Sequence, residues 1–337
     1  MIVTCKNCES SFKLDEGVIK KQSVKVRCSK CNYVFSVFRP GTIQEPEQEA
    51  DCTKHAVETA AVQQEVQFAS SGTNQLFGVG EGKSEKQTPV KTIVITNQKG
   101  GVAKTSTCLN LGVSLALLNK RVLLVDFDAQ SNLTVCLGYQ STESFYEILN
   151  SENKDLAEIL IKTPYPNLSL LPSGKNMVLL NKKYFNAANY EYILKHELNA
   201  IKDQFDYILI DTPPSIEFFT INALTAADLA IIPCQCEYLA TYGVNRIIKI
   251  IQLIKEKTNP DIDYKILFTM YEDSAVVSEL IRTKLKQKYD GRTFNTIIEY
   301  DTKIKESQIL RKPAIYHNKK SRAGIQYYSL AKGMLGR

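Results

Sequence analysis

Residues 97–107 read NQKGGVAKTST, set between the apolar run KTIVIT (91–96) and CLNLGVSLALL (108–118). A β-branched run, a small-residue turn and a long apolar stretch predict strand, loop and helix in that order. Gly100 and Gly101 let the backbone come close to an anion, and successive N–H groups from Gly100 through Val102 and Ala103 to Ser106 can form a nest for it. The helix expected from Thr105 adds its positive end. Lys104 then reaches terminal phosphates and the Thr105 hydroxyl reaches Mg²⁺. The strict G-x-x-x-x-G-K-[ST] pattern is not met, because Gln98 and Ala103 replace its glycines. The plain alternative is a glycine turn with two surface lysines. An ordinary phosphate loop also leaves Lys99 without a task.

Two more segments weigh against the plain alternative. RVLLVDFDAQSN (121–132) ends a strand on Asp126 and Asp128, and FDYILIDTPPS (205–215) ends another on Asp211. A single carboxylate at a strand end can merely cap the next helix. Three of them, in this order, suit a magnesium nucleotide, with Asp211 placed to hold a metal-bound water.

The rest of the chain fits that frame. From Lys91 onward KTIVIT, RVLLVDFD, LSLLP, YILID, LAIIP, YKILFTM and FNTIIEY read as strands. Helices are expected over Thr105–Leu118, Met177–Ile201, Glu217–Ala226, Tyr242–Lys257, Ala275–Lys288 and Ile325–Met334. Near-continuous apolar strands alternating with helices predict an α/β fold, a mostly parallel sheet flanked by helices. Ligands of such sheets sit at the carboxyl ends of the strands, where all three acidic and basic motifs fall.

Here the sequence resembles a known family. KGGVAKTS, DFDAQSN and DTPPS are similar to the deviant Walker A motif, the following Asp motif and the Walker B region of ParA/MinD-type P-loop ATPases. The resemblance spans 91–337. It includes NLSLLPSG (167–174), TINALTAADLAIIPCQCEYLATYG (220–243) and KPAIYHNKKSRAGIQYYSLA (312–331), the last two favouring the ParA branch. It implies a homodimer formed with ATP, in which Lys99 reaches the phosphates held by the other subunit. It also implies that Asp128 orients the attacking water, that Asp126 touches the Mg²⁺ shell, and that turnover is slow and partner-stimulated. Many relatives carry Pro-Arg-Asn near the adenine, where this chain has Glu299-Tyr300-Asp301. Met270 and Tyr271 are open to two readings, base contact or core packing.

Charge is uneven. The net value is +6, yet residues 281–337 carry fourteen Lys and Arg against four Asp and Glu. Such a surface suits phosphate backbones, with Lys284, Lys286, Lys303, Lys305, Arg311, Lys319, Lys320 and Arg322 as candidates. The resemblance implies DNA binding without sequence preference in the ATP state; a solvated helix face is the alternative. YYSLAKGMLGR is too short for a membrane-binding helix that is also needed for packing, so no membrane partner is expected.

The first 38 residues differ in kind. CKNC (5–8) and CSKC (28–31) give C-x2-C-x19-C-x2-C, a spacing that brings Cys5, Cys8, Cys28 and Cys31 to one tetrahedral Zn²⁺. The segment resembles a small bacterial zinc ribbon. With four protein ligands the zinc has no open position, so recognition of a partner protein or DNA is expected rather than catalysis. Lys6, Lys20, Lys21, Lys25, Arg27 and Lys30 make DNA plausible. Residues 39–90 hold four basic against eight acidic side chains and few large apolar ones, which predicts a flexible linker. A short helix could form around Ala56–Val66, and Cys52 and His55 look incidental. Cys234 and Cys236 read as buried apolar thiols rather than iron–sulfur ligands.

No apolar run reaches the roughly 20 residues of a membrane span, and the N-terminus lacks the pattern of a leader, so a cytoplasmic, nucleoid-associated location is expected. The expected organisation is a zinc ribbon (1–38), a linker (39–90) and a ParA-like ATPase domain (91–337). The expected function is plasmid or chromosome segregation with a ParB-like or other adaptor. Positioning of a protein cargo, or a zinc-ribbon regulatory DNA-binding protein switched by ATP, are the alternatives.

Overall fold

The structure, a computed structural model, describes residues 2–4, 8, 10–13, 23–31, 34–38 and 90–336, without 152, 153, 186 and 274. Cys5, Lys6, Lys20, Lys21, the span 39–89 with its expected helix, Cys52 and His55 lie outside the described residues.

The N-terminal unit contains two small antiparallel sheets. β1 (Ile2–Thr4) pairs with β2 (Ser11–Lys13), and β3 (Ser23–Arg27) with β4 (Val34–Phe38). Val3, Cys28 and Val37 are buried, with Cys8, Phe12, Val26 and Cys31 packed against them. So small a core does not hold a chain of this length without a staple.

The second unit is built on a seven-stranded sheet in the order β11-β10-β5-β9-β6-β8-β7. Its strands are β5 (Lys91–Ile95), β6 (Val122–Asp126), β7 (Ile161–Lys162), β8 (Leu168–Leu171), β9 (Tyr207–Asp211), β10 (Leu229–Gln235) and β11 (Asp263–Thr269). All pairings are parallel except β7 with β8 at one edge. Helices of this unit are α1 (Lys104–Leu117), α2 (Asn132–Cys136), α3 (Phe145–Ile148), α4 (Val178–Lys183), α5 (Ile193–Asn199) and α6 (Phe218–Ala226). They continue with α7 (Ala240–Lys257), α8 (Val276–Lys288), α9 (Thr302–Ile309), α10 (Ala314–His317) and α11 (Arg322–Met334).

Strand residues alternate between two cores, as a period of two demands. Val94, Leu123, Val125, Ile208, Ile210 and Ile232 pack with α5, α6 and α7 on one face. Ile93, Ile95, Leu124, Leu209 and Ile231 pack with α1 and α11 on the other. Gly112 lets α1 lie directly on β6, since a Cβ there would meet Leu124 Cδ2 at 2.5 Å. The Thr107 hydroxyl and Tyr327 OH, 2.9 Å apart, join α1 to α11.

Two expected elements differ. Met177–Ile201 is not one helix: α4 stops at Lys183 and α5 starts at Ile193, with Asn189 between them in the left-handed region (φ 58°). FNTIIEY is not a regular strand. It runs beside β11 through two isolated parallel bridges, Ile266 with Thr293 and Tyr271 with Glu299. The bridges are five residues apart on one side and six on the other, so the two segments fall out of register between them and the ladder breaks.

Candidate nucleotide and zinc sites

β5, β6 and β9 end side by side. Asp126 and Asp211 are register partners, and Ile95 partners Asp211 on the other side, so the loop after β5 hangs over both carboxylates. The loop turns through Gly101 (φ 75°) and Ala103 (φ 66°) into α1. A left-handed alanine costs about 1–2 kcal/mol, and such strain concentrates at ligand loops. Asn97 fixes the loop's first half: its amide donates to the Pro233 carbonyl (2.7 Å), and its oxygen accepts from the Lys99 N–H (3.1 Å).

A cavity of about 630 Å³ opens against this loop. Gly100, Gly101, Ala103, Lys104, Thr105 and Ser106 line one side, and Asp128 lies on the wall. Met270, Ile298, Tyr300 and Lys305 are among the other lining residues. Met270 thus faces the cavity, whereas Tyr271 is buried and donates its hydroxyl to Glu279 (2.6 Å), which settles it as packing. Val102 is also buried; its carbonyl accepts from the Thr269 hydroxyl (3.1 Å), leaving only its backbone to the loop.

The charges beneath are held at a cost. Lys104 is buried, which lowers its ammonium pKa, while Asp211 and Asp128 oppose that shift. Its Nζ donates to the Lys99 carbonyl (3.1 Å). Burial pushes Asp126 up to about 7, although the Thr134 N–H (2.8 Å) and hydroxyl (2.6 Å) both donate to its Oδ2. Burial and then the Asp126 charge push Asp211 well above the carboxylate range; the nearby Thr105 hydroxyl acts in the other direction. Asp128 is raised by burial and accepts from the Gln130 N–H (2.9 Å).

Asp126 Oδ1 and both Asp211 oxygens are buried without a hydrogen-bond partner. Three bare acidic oxygens in a buried site call for a cation, and with the Thr105 hydroxyl they make a hard, all-oxygen donor set of the kind Mg²⁺ prefers. Lys99 does not line the cavity. Its ammonium pairs outside with Glu237, just beyond β10. Lys99, the loop residues, Asp126, Asp128 and Asp211 therefore gather at one end of the sheet. Thr134, Asn97 and Glu237 belong to the same assembly and were missed. Only Thr134, in the segment that follows Asp126 and Asp128, carried a sequence signal.

Of the eight basic candidates at the C-terminal end, three are engaged and Lys286 is half-buried on α8. Lys303 pairs with Glu306, Arg322 with Glu299, and Lys305 donates to Tyr300 OH (3.1 Å) at the cavity wall. Lys284, Arg311, Lys319 and Lys320 are exposed. Cys234 and Cys236 are buried, which raises their thiols to about 12 and about 11; they behave as apolar side chains.

In the N-terminal unit the sulfurs of Cys8, Cys28 and Cys31 lie within 4.8 Å of one another, with Cys8 and Cys28 3.6 Å apart. Thiolates about 2.3 Å from a tetrahedral zinc stand about 3.8 Å from each other, so the three sulfurs fit such an ion. No helix among the described residues is long and apolar enough to cross a membrane.

A strand, a phosphate-type loop with a buried lysine, and acidic strand ends define a P-loop nucleotide-binding α/β protein. Comparison with known proteins narrows this. An AAA-domain family model matches residues 90–264, and a zinc-ribbon domain model matches 1–36. The sporulation initiation inhibitor protein Soj of Bacillus subtilis is 36% identical over 246 residues, covering 72% of this chain and 97% of Soj. The chromosome partitioning protein ParA of Myxococcus xanthus is 33% identical over 269 residues, covering 79% of this chain and 95% of that protein. The crystal structure of cobyrinic acid a,c-diamide synthase from Mycobacterium smegmatis, with bound ADP and magnesium, is 31% identical with a TM-score of 0.64. It covers 74% of this chain and 97% of that one. The chain belongs to the ParA/Soj family of P-loop ATPases and carries a zinc ribbon ahead of the ATPase fold.

Proposed function

We propose that this protein is a partition ATPase that dimerises around ATP, binds DNA without sequence preference in that state, and releases it on hydrolysis. The observation that carries the reading is the position of Lys99. Its ammonium lies outside its own cavity on Glu237, and the residues that follow Glu237 in the chain include the exposed Tyr238, Leu239 and Tyr242, a surface a second copy can meet. Apolar side chains bared in that number next to a charged group mark a contact surface.

Within one subunit the loop N–H groups and Lys104 hold the phosphates. Thr105, Asp126 and Asp211 would hold Mg²⁺, partly through water, and the ion would supply neutralising charge for the terminal phosphates. Asp128, which lines the cavity, orients the attacking water. Lys99 of each subunit completes the other's site, so phosphate charge is fully compensated only in the closed dimer. The exposed Lys284, Arg311, Lys319 and Lys320 contribute to the DNA surface. The zinc ribbon recognises a ParB-like or other adaptor, and the cargo is a plasmid or chromosome locus in the nucleoid-bearing cytoplasm.

The test is fluorescence anisotropy with random-sequence duplex DNA, with ATP and with ADP, across a salt series. Binding with ATP alone that weakens at least about tenfold between 50 and 200 mM salt is expected. Lys99→Ala abolishes it. Equal binding in both nucleotide states would remove the proposed cycle.

A further inference from the structure

Lys99 and Glu237 approach from opposite sides of one cross-link. Asn97 joins the loop to β10 by donating to Pro233 while accepting from the Lys99 N–H. Past β10 the chain turns tightly: the Glu237 N–H donates to the Gln235 carbonyl (2.9 Å), and the Ala240 N–H donates to the Glu237 carbonyl (2.9 Å). Both backbones are therefore held, which keeps the two side chains within reach of each other. The side chains remain 35% and 47% exposed. Pairs of that exposure shift an equilibrium only a few-fold, weak enough for a polyanion to outcompete.

Lys99 is held at a second point. Its carbonyl accepts from Lys104 Nζ at 3.1 Å. A phosphate in the loop offers Lys104 a charge-assisted partner in place of a neutral carbonyl, and Lys104 will leave. The 99–100 peptide then loses its restraint. Gly100, around which a Cβ would meet nothing within 4 Å, lets that peptide turn.

We propose that Glu237 is a positioning residue that keeps Lys99 on its own subunit until an anion enters the loop, and that the withdrawal of Lys104 from the Lys99 carbonyl releases the pair. The two lysines act in series: the first serves the partner only after the second has found phosphate. The inference rests on the cross-subunit reading of Lys99 for its purpose, but not for its geometry.

The experiment pulses full-length protein with an amine-acylating reagent and quantifies Lys99 by peptide mass spectrometry, with exposed Lys319 as reference. In nucleotide-free protein Glu237→Gln raises Lys99 acylation about fivefold and Glu237→Asp about twofold, with Lys319 unchanged. MgADP raises Lys99 acylation in the wild type and adds little in Glu237→Gln. Equal acylation in the wild type and Glu237→Gln overturns the holding role. An unchanged wild type on adding MgADP overturns the release. With MgATP, sedimentation shows a dimer dissociation constant about threefold lower in Glu237→Gln; a higher one makes Glu237 an interface group and overturns the proposal. If no variant dimerises, the cross-subunit reading fails while the acylation results still decide the pairing.

Discussion

The two units of this protein solve the same problem with opposite means. The N-terminal unit has four short strands and three buried apolar side chains among its described residues, with three sulfurs drawn together. The ATPase unit has apolar clusters on both faces of a seven-stranded sheet. That surplus of apolar burial lets it keep Asp126, Asp211 and Lys104 in dry positions that destabilise the fold without their ligands. One unit is stable because of its site, the other in spite of it.

The comparison breaks most easily at the ribbon. Structural zinc supplies on the order of 10–16 kcal/mol to small domains, more than such a core provides. A strong chelator, or Cys28→Ser, is expected to unfold residues 23–38 in the full-length protein while 91–126 keeps its protection. Hydrogen exchange followed by mass spectrometry reads both regions at once. Persistent protection of 23–38 without metal would show that the hairpins stand alone.

The converse test strikes the other core. Phe127 is fully buried between the two acidic positions of its motif, edge-on to Phe145 (5.3 Å) and Phe219 (5.2 Å). Phe127→Ala is expected to cost about 3–5 kcal/mol. Denaturant unfolding of the ATPase unit shifts by that amount, and exchange across 23–38 stays as in the wild type. A loss under 1 kcal/mol would mean that neighbouring rings refill the space.

What could be read in the sequence follows from how local each signal is. Lys104, Thr105, Asp126, Asp128 and Asp211 announce themselves because each sits at the end of an apolar strand or in the loop and helix start that follow it, and the parallel sheet then brings the strand ends together. The thiol pairs are equally local. Glu237 lies 138 residues from Lys99, and Gln308, which donates to the Ser106 hydroxyl at 3.0 Å, lies 202 residues from it. No periodicity links such positions. The helix expected across 177–201 failed for another reason: apolar spacing carried across KKYFNAANY, where Asn189 takes a left-handed turn that periodicity does not register. FNTIIEY failed because its register with β11 slips between two bridges.

The finest test concerns the buried carboxylates. Asp126 is raised from 3.8 to about 7, chiefly by burial, so the folded chain retains a proton that the unfolded chain has released. Stability from this group is therefore fully present below about pH 4 and is lost as pH rises through 7. Asp211 is displaced in the same direction, so the two carboxylates act together in this loss. In metal-free protein, unfolding free energy of the ATPase unit should decline between pH 4 and 7. Asp126→Asn should flatten that decline, because the amide carries no charge to bury. Magnesium with nucleotide should reverse it, since the ion favours the ionised carboxylates that burial disfavours. The ribbon serves as the internal control: its thiolates need the opposite protonation trend, so acid weakens it while it relaxes Asp126. If Asp126→Asn keeps the wild-type slope, the cost of burying charge lies elsewhere, with Asp211 the next residue to replace.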